Sequence, residues 1–324
     1  MLRDFLERHQ VWLYFASVAA GATAAWNISG TESLETFINP ALALMLFVTF
    51  LQVPLADIGK AFRKVRFLTA LLVANFVVTP LLVFFLIRFS PGDPMVRLGM
   101  LMVLLTPCID YVITFSHLGR ADARLLLAST PLLLVAQMIL LPLYLAAFLG
   151  DDASALISAG PFLHAFIWLI AVPLALAALV QVWASRNSTG MLISEKLGVL
   201  PVPSTALVLF LVVAATVPLL GSAIDRALAA VPVYVAFAVI APMLGWGTAR
   251  AFGLGAAASR SVAFSSATRN SLVILPLALV VPGAIPVLPA VIVAQTLVEL
   301  LAEMVYIRTV PHIGRMVETA EDNA

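Results

Sequence analysis

The sequence is poor in charge, since only 11% of its 324 residues are Asp, Glu, Lys or Arg. A soluble domain is about 25% charged, and a soluble chain of this length could not cover its surface with so few charges. Hydrophobic residues make up 62% of the chain. The composition therefore predicts an all-α polytopic membrane protein, and a large soluble α/β protein is the weaker alternative.

Other absences exclude whole classes of function. The single cysteine, Cys108, rules out an intrachain disulfide, and a net charge of +1 gives no reason to expect a nucleic-acid partner. No glycine loop that could hold phosphate and no nucleophile elbow is present, so neither an ATP-driven pump nor an enzyme is expected. No metal-site spacing occurs either, and we expect no cofactor. The first apolar run begins near Val11 without a cleavage site, so this helix should stay in the mature protein.

The sequence instead contains many long apolar runs. A membrane-spanning helix needs about 20 mainly apolar residues, and about ten segments qualify. They are roughly residues 11–29, 36–56, 67–89, 95–118, 122–149, 160–183, 201–221, 229–250, 260–281 and 284–310. The connections are short, which predicts one membrane transporter domain over residues 1–324, surrounded by lipid. The oligomeric state does not follow from the sequence.

The basic residues give the orientation. With ten helices both chain ends lie on one side, and that side collects most of the eighteen Lys and Arg residues. The opposite side collects only Arg88, Arg97 and Arg226. Because cytoplasmic loops are enriched in Lys and Arg, we expect both termini to be cytoplasmic in a plasma (inner) membrane protein.

Two of the segments contain helix breaks. Ten helices divide into two sets of five, about 1–150 and 151–324, and the odd number makes the second set an inverted repeat of the first. The fourth helix of each set is interrupted, by Thr-Pro-Cys at 106–108 and by Thr-Arg-Asn-Ser at 268–271. Proline removes a backbone donor, and freed carbonyls in a bilayer need a cavity or protein partners. We therefore predict that helices 4 and 9 are broken and cross, with ordinary proline kinks as the alternative.

Few ionisable groups lie within these segments, and such groups suggest function by default. Asp110 and Arg269 adjoin the two breaks, so crossing helices would pair their charges; a purely structural ion pair is as plausible as ligand binding. Glu299 and Glu303 share one helix face. The deeper Glu299 is the candidate proton-titrating group, or else a structural carboxyl, whereas Glu303 is expected at the interface or beside Arg308.

The stretch 104–122, LLTPCIDYVITFSHLGRAD, resembles the fourth-helix motif of arsenite efflux permeases in the bile acid/sodium symporter superfamily. That motif has a Pro-Cys pair, here Pro107 and Cys108, and an acidic residue that opens the next helix, here Asp122. The stretch 264–272, FSSATRNSL, is similar to the small-residue and Asn segment of the ninth helix, and Glu299 also fits the arsenite branch.

The resemblance implies a ten-helix transporter in which Cys108, otherwise readable as an inert small hydrophobe, contacts arsenite or antimonite. Asn270 would belong to the crossing site, with Thr106 and Ser271 as further polar contacts. Such permeases usually carry Asn where Arg269 stands and Glu where Leu272 stands. Arg269 would then be a fixed cation in place of a mobile one.

The leading functional prediction is export of arsenite or antimonite by a proton- or potential-driven secondary transporter. The alternative is a sodium- or proton-coupled symporter of a small organic anion, whose carboxylate Arg269 would hold. A membrane sensor or assembly factor is a third class, and no appended regulatory domain supports it.

Overall fold

The computed structural model describes residues 2–52, 64–109, 111–150, 164, 167–220 and 223–313. These residues are helical apart from connections and one isolated β-bridge. Six helices in this part of the chain are long and apolar enough to cross a membrane. They are Thr31–Phe50, Val65–Phe89, Ala123–Leu149, Pro201–Leu219, Ile224–Ala251 and Val287–His312. The prediction of an all-helical polytopic chain is confirmed at this level.

The remaining predicted segments differ from simple spans for identifiable reasons. The first helix, Leu2–Asn27, begins nine residues before Val11. Arg3 and Glu7, one turn apart at 2.7 Å, pair in this polar first part. The fourth and ninth segments are each two helices: Pro94–Leu104 with Val112–Leu118, and Ala256–Ala267 with Ser271–Leu279. In the described part of the sixth segment, a π-helical turn, Ile167–Ala171, leads into a shorter helix, Val172–Ala184. The inverted repeat stays a prediction.

The helices around the fourth segment start at side-chain caps. Asp93 accepts hydrogen bonds from the backbone N–H groups of Met95 at 2.8 Å and Val96 at 3.2 Å, and Pro94 needs no such bond. Asp122 caps Ala123–Leu149 through the N–H of Leu125 at 3.3 Å. The expectation that Asp122 opens a helix is therefore confirmed.

The described chain divides into two compact units. One contains the described parts of residues 1–53, 152–228 and 272–293, and the other those of 54–151, 229–271 and 294–324. In the first, a Cβ at Gly21 would lie 2.8 Å from the carbonyl oxygen of Phe210, so the first helix packs backbone to backbone on Pro201–Leu220. The second unit holds every candidate site residue that the structure describes.

Within the second unit the helix Val231–Ala251 packs closely on Ala256–Ala267. A Cβ at Gly245 would lie 2.6 Å from the Ser266 hydroxyl and 3.0 Å from Ala263 Cα. We expect Gly245→Ala to lower the free energy of unfolding by about 1–3 kcal/mol, because rigid neighbours must move. Gly247→Ala is the matched control: nothing lies within 4 Å of its added Cβ, and alanine favours helix by about 1 kcal/mol. Thermal unfolding in detergent measures both, and equal midpoints would contradict the packing.

Candidate functional site

The two helix breaks have different local causes. Pro107 has no N–H to donate, and the Thr106 hydroxyl bonds back to the carbonyls of Met102 at 2.8 Å and Val103 at 2.9 Å, which closes the helix end. In the other break Thr268 adopts an extended backbone, with φ −95° and ψ 127°. Both segments of the chain are therefore extended where a helix would otherwise continue, as the sequence predicts.

The two extended segments cross and pair with each other. Pro107 and Arg269 form an antiparallel β-bridge. The N–H of Cys108 donates to the Thr268 carbonyl and that of Asn270 to the Thr106 carbonyl, each at 2.9 Å. The backbone groups that the breaks release thus satisfy one another, away from water. The predicted crossing of the broken helices is confirmed.

The side chains predicted to bind solute lie at this bridge and are almost wholly buried. They are Thr106, Cys108, Asn270 and Ser271. Asn270 Nδ2 has no hydrogen-bond partner among the described residues, whereas the Ser271 hydroxyl donates to Gln295 Oε1. Their assignment to a solute stays a prediction.

Arg269 is fully buried, and neutral groups hold its guanidinium. Nη2 donates to Asn75 Oδ1 at 2.9 Å and to the Ser265 carbonyl at 2.6 Å, and Nη1 lies 3.4 Å from the Leu104 carbonyl. The ring of Phe237 lies 5.5 Å from the guanidinium carbon, within range of a cation–π contact. A fixed positive charge therefore stands beside the bridge.

Sequence reasoning missed Asn75. It lies in a π-helical turn, Ala74–Val78, inside Val65–Phe89. The widened turn leaves carbonyls for other donors: Thr79 bonds back to Ala74 at 2.9 Å, and the Tyr144 hydroxyl reaches Phe76 at 2.5 Å. π-turns often mark functional sites. The signal available in the sequence was a lone Asn in the stretch 67–87, which contains no charged residue.

Glu299 is the carboxylate at the crossing. Its Oε2 accepts the backbone N–H of Arg269 and the amide of Gln295, both at 2.6 Å, and its Oε1 accepts the Tyr111 hydroxyl at 2.5 Å. Its side chain also interacts electrostatically with Arg269. Asp110, the partner predicted for Arg269 from the sequence, lies outside the described residues, so that pairing stays a prediction.

The expectation for Glu303 is wrong. Its side chain is fully buried, and Oε1 lies 2.5 Å from the Thr268 hydroxyl rather than at the interface. Arg308, the suggested partner, is exposed. The position of Glu303 along its helix gives its depth in the membrane. Its burial depends on the break in the ninth segment, where Thr268 contacts it. In the described part of the chain no three His, Cys, Asp or Glu side chains gather as metal ligands would.

Comparison with known proteins identifies the family. A search of curated proteins finds no significant match to the chain. The model of the sodium bile acid symporter family matches residues 39–226, which is more than half of the chain and includes the first helix break. That is a family of transporters, in keeping with the apolar helices found here. This multi-pass membrane protein therefore belongs to the sodium bile acid symporter family.

Proposed function

We propose that the protein is a secondary transporter that exports arsenite and antimonite through the crossing of its two broken helices, with Cys108 as the thiol that contacts the solute. One observation carries the proposal. The N–H of Cys108 is bonded to the second broken segment at 2.9 Å, so the chain's single thiol stands at the bridge itself. Inverted-repeat transporters place substrates at such broken helices.

The chemistry of the surroundings suits trivalent arsenic. A sulfur ligand is soft and favours thiophilic species, and a lone thiol can release what several would retain. As(OH)3 is neutral near neutral pH, so it needs hydrogen bonds rather than a counter-ion. Asn270 Nδ2, which has no hydrogen-bond partner in the described part of the chain, would supply them together with the hydroxyls of Thr106 and Ser271.

The proposal includes direction and coupling. Both termini would be cytoplasmic in the plasma (inner) membrane, with the halves of the chain as inverted repeats, and a proton gradient or the membrane potential would drive export. Glu299 accepts the backbone N–H of Arg269 at 2.6 Å beside the bridge, so its carboxyl and the Arg269 guanidinium would respond to a coupling ion there. No cofactor enters the scheme.

A small organic anion is the second candidate substrate. The buried Arg269 guanidinium beside the bridge favours it, as does membership of a family named for bile acid transport. A carboxylate bound there would take charge-assisted hydrogen bonds from the guanidinium, and import with sodium or protons would then replace export.

Replacing Cys108 by serine tests the arsenite proposal. Serine keeps the size and the backbone N–H but lacks soft sulfur, so we expect folding to survive while arsenite uptake into inside-out vesicles falls at least tenfold, about 1.4 kcal/mol of lost interaction. Ser116→Ala is the matched control, since it changes an equally buried small side chain away from the bridge.

The outcomes separate the two substrates. Uptake by Cys108→Ser equal to that of the parent would remove the thiol from the mechanism. If the parent itself moves no arsenite or antimonite, export of these solutes is the wrong function. Uptake of labelled organic anions that is lost in Arg269→Gln would then establish the second candidate.

A further inference from the structure

A polar stripe runs along one face of the last long helix, Val287–Thr309. Gln295, Glu299 and Glu303 are spaced four residues apart, and each is at most 3% exposed. The first two belong to the bridge through Ser271 and Arg269. Glu303 has no part in binding solute in the scheme above. It is nevertheless a fully buried carboxyl in a membrane protein, which requires an explanation.

The hydrogen bonds of Glu303 bear on its protonation. The Thr268 hydroxyl has one proton and two acceptors in reach, the Phe264 carbonyl at 2.7 Å and Glu303 Oε1 at 2.5 Å. Glu303 Oε2 has no donor among the described residues. An ionised Glu303 would thus receive at most one hydrogen bond while buried, at a cost of several kcal/mol. A neutral carboxyl avoids this cost, because its O–H can donate to Thr268 while Thr268 donates to Phe264.

Glu299, one turn away, has the opposite surroundings. Three donors converge on its two oxygens, and this favours a carboxylate. Among the described residues, the charged and titratable groups that interact with Glu303 are Glu299 and Tyr306 on the same helix. Those that interact with Glu299 include Arg269 in the break and Tyr111. Two neighbouring carboxyls in such contrasting environments divide naturally into a neutral acid and a charged base.

We propose that Glu303 is the proton-binding site through which solute export is coupled to proton entry. The proposal rests on the transport function proposed above. In the arrangement described here Glu303 is neutral and Glu299 is ionised. In each cycle Glu303 would take one proton from water on the external side and give it to water on the cytoplasmic side. One neutral As(OH)3 would leave for each proton that enters.

Thr268 supplies the link between proton and solute. Its carbonyl accepts the N–H of Cys108 at 2.9 Å, and its hydroxyl meets Glu303 at 2.5 Å. A movement of the second break that exposes the Cys108 thiol therefore also changes the hydrogen bonding of Glu303. Conversely, loss of the proton of Glu303 changes the hydrogen bond that Thr268 makes. The position is a poor site for Mg²⁺, since one carboxyl and one hydroxyl fall short of the six oxygen ligands of this ion.

Infrared spectroscopy of the purified protein in lipid nanodiscs tests the protonation without any transport. At neutral pH we expect a C=O stretching band of a protonated carboxyl that shifts in D2O. The band should persist in Glu299→Gln and disappear in Glu303→Gln. A band unchanged in Glu303→Gln would overturn the assignment. Should Glu303→Gln fail to fold, Thr268→Ala provides the same test, because loss of the hydroxyl must shift the frequency of a Glu303 band.

Inside-out vesicles test the coupling. A lumen more acidic by about one pH unit supports up to about tenfold accumulation for one proton per solute, so collapsing the gradient should lower arsenite uptake by the parent severalfold. In Glu303→Gln the ratio of uptake with and without the gradient should fall to about one. A ratio equal to that of the parent would overturn the coupling role and leave arsenite export standing. If the parent moves no arsenite, the proposed function fails, and the infrared band alone decides the protonation of Glu303.

Discussion

Replacing Arg269 by glutamine is expected to lower the free energy of unfolding by about 3–5 kcal/mol, because the buried guanidinium donates two hydrogen bonds and each bond to a charged group contributes about 1.5–3 kcal/mol. The change leaves Asn75 Oδ1 and the Ser265 carbonyl without these donors, and it removes the positive charge that stands beside the bridge. Lysine would preserve the charge but lose the planar guanidinium, whose Nη2 donates to both acceptors, so Arg269→Lys should be intermediate. Unfolding in mixed micelles measures all three proteins.

Double-mutant cycles then identify the counter-charge. If Glu299 is the partner, Arg269→Gln with Glu299→Gln should recover about 1–3 kcal/mol relative to the sum of the single losses. The cycle with Asp110→Asn tests the pairing predicted from the sequence. Recovery only with Asp110→Asn would assign the pair to Asp110. Full additivity in both cycles would contradict any charge pairing at the bridge.

Arg260→Gln is expected to cost about 2–4 kcal/mol, since hydrogen bonds to charged groups contribute about 1.5–3 kcal/mol each. Arg260 is 2% exposed. Its guanidinium donates to the carbonyls of Pro311 at 3.1 Å, Ile313 at 3.1 and 3.2 Å, and Arg120 at 3.3 Å. It thereby fastens the end of the last long helix to the loop before Ala123–Leu149.

Arg260→Gln should also loosen the structure locally, at the end of the last long helix. In Arg260→Gln we expect faster amide hydrogen exchange in residues 310–313, where the carbonyls lose their donor. Arg308→Gln is the control, because it removes the same charge from an exposed position on the last long helix and should stay within about 0.5 kcal/mol of the parent. Equal losses in the two variants would show that net charge, rather than these hydrogen bonds, stabilises the helix end.

The sequence predicts features that depend on local chemistry. Pro107 and the polar run at 268–271 mark the breaks because each disturbs the helix in which it lies. Asp122 is a recognisable cap. The crossing followed from the need of freed backbone groups for partners, and the antiparallel bridge meets that need.

The features that were missed depend on distant parts of the chain. Asn75 is 194 residues from Arg269 and reaches it only through the widened turn. Tyr111, which donates to Glu299, is separated from it by 188 residues. Gln295 could have been predicted to share this helix face, since it continues the four-residue spacing of Glu299 and Glu303. The periodicity of a helix does not show which other helix covers a given face. The prediction that Glu303 lies at the interface was wrong for this reason.

The bridge at Pro107 and Arg269 has an evolutionary consequence. Its two hydrogen bonds join main-chain atoms only, and every amino acid supplies the carbonyls while every one except proline supplies the N–H groups. The side chains of Cys108 and Asn270, whose N–H groups make these bonds, can therefore change without removing either hydrogen bond. A single substitution at residue 108 or 270 can thus alter the groups offered to a solute while the main-chain bridge is kept.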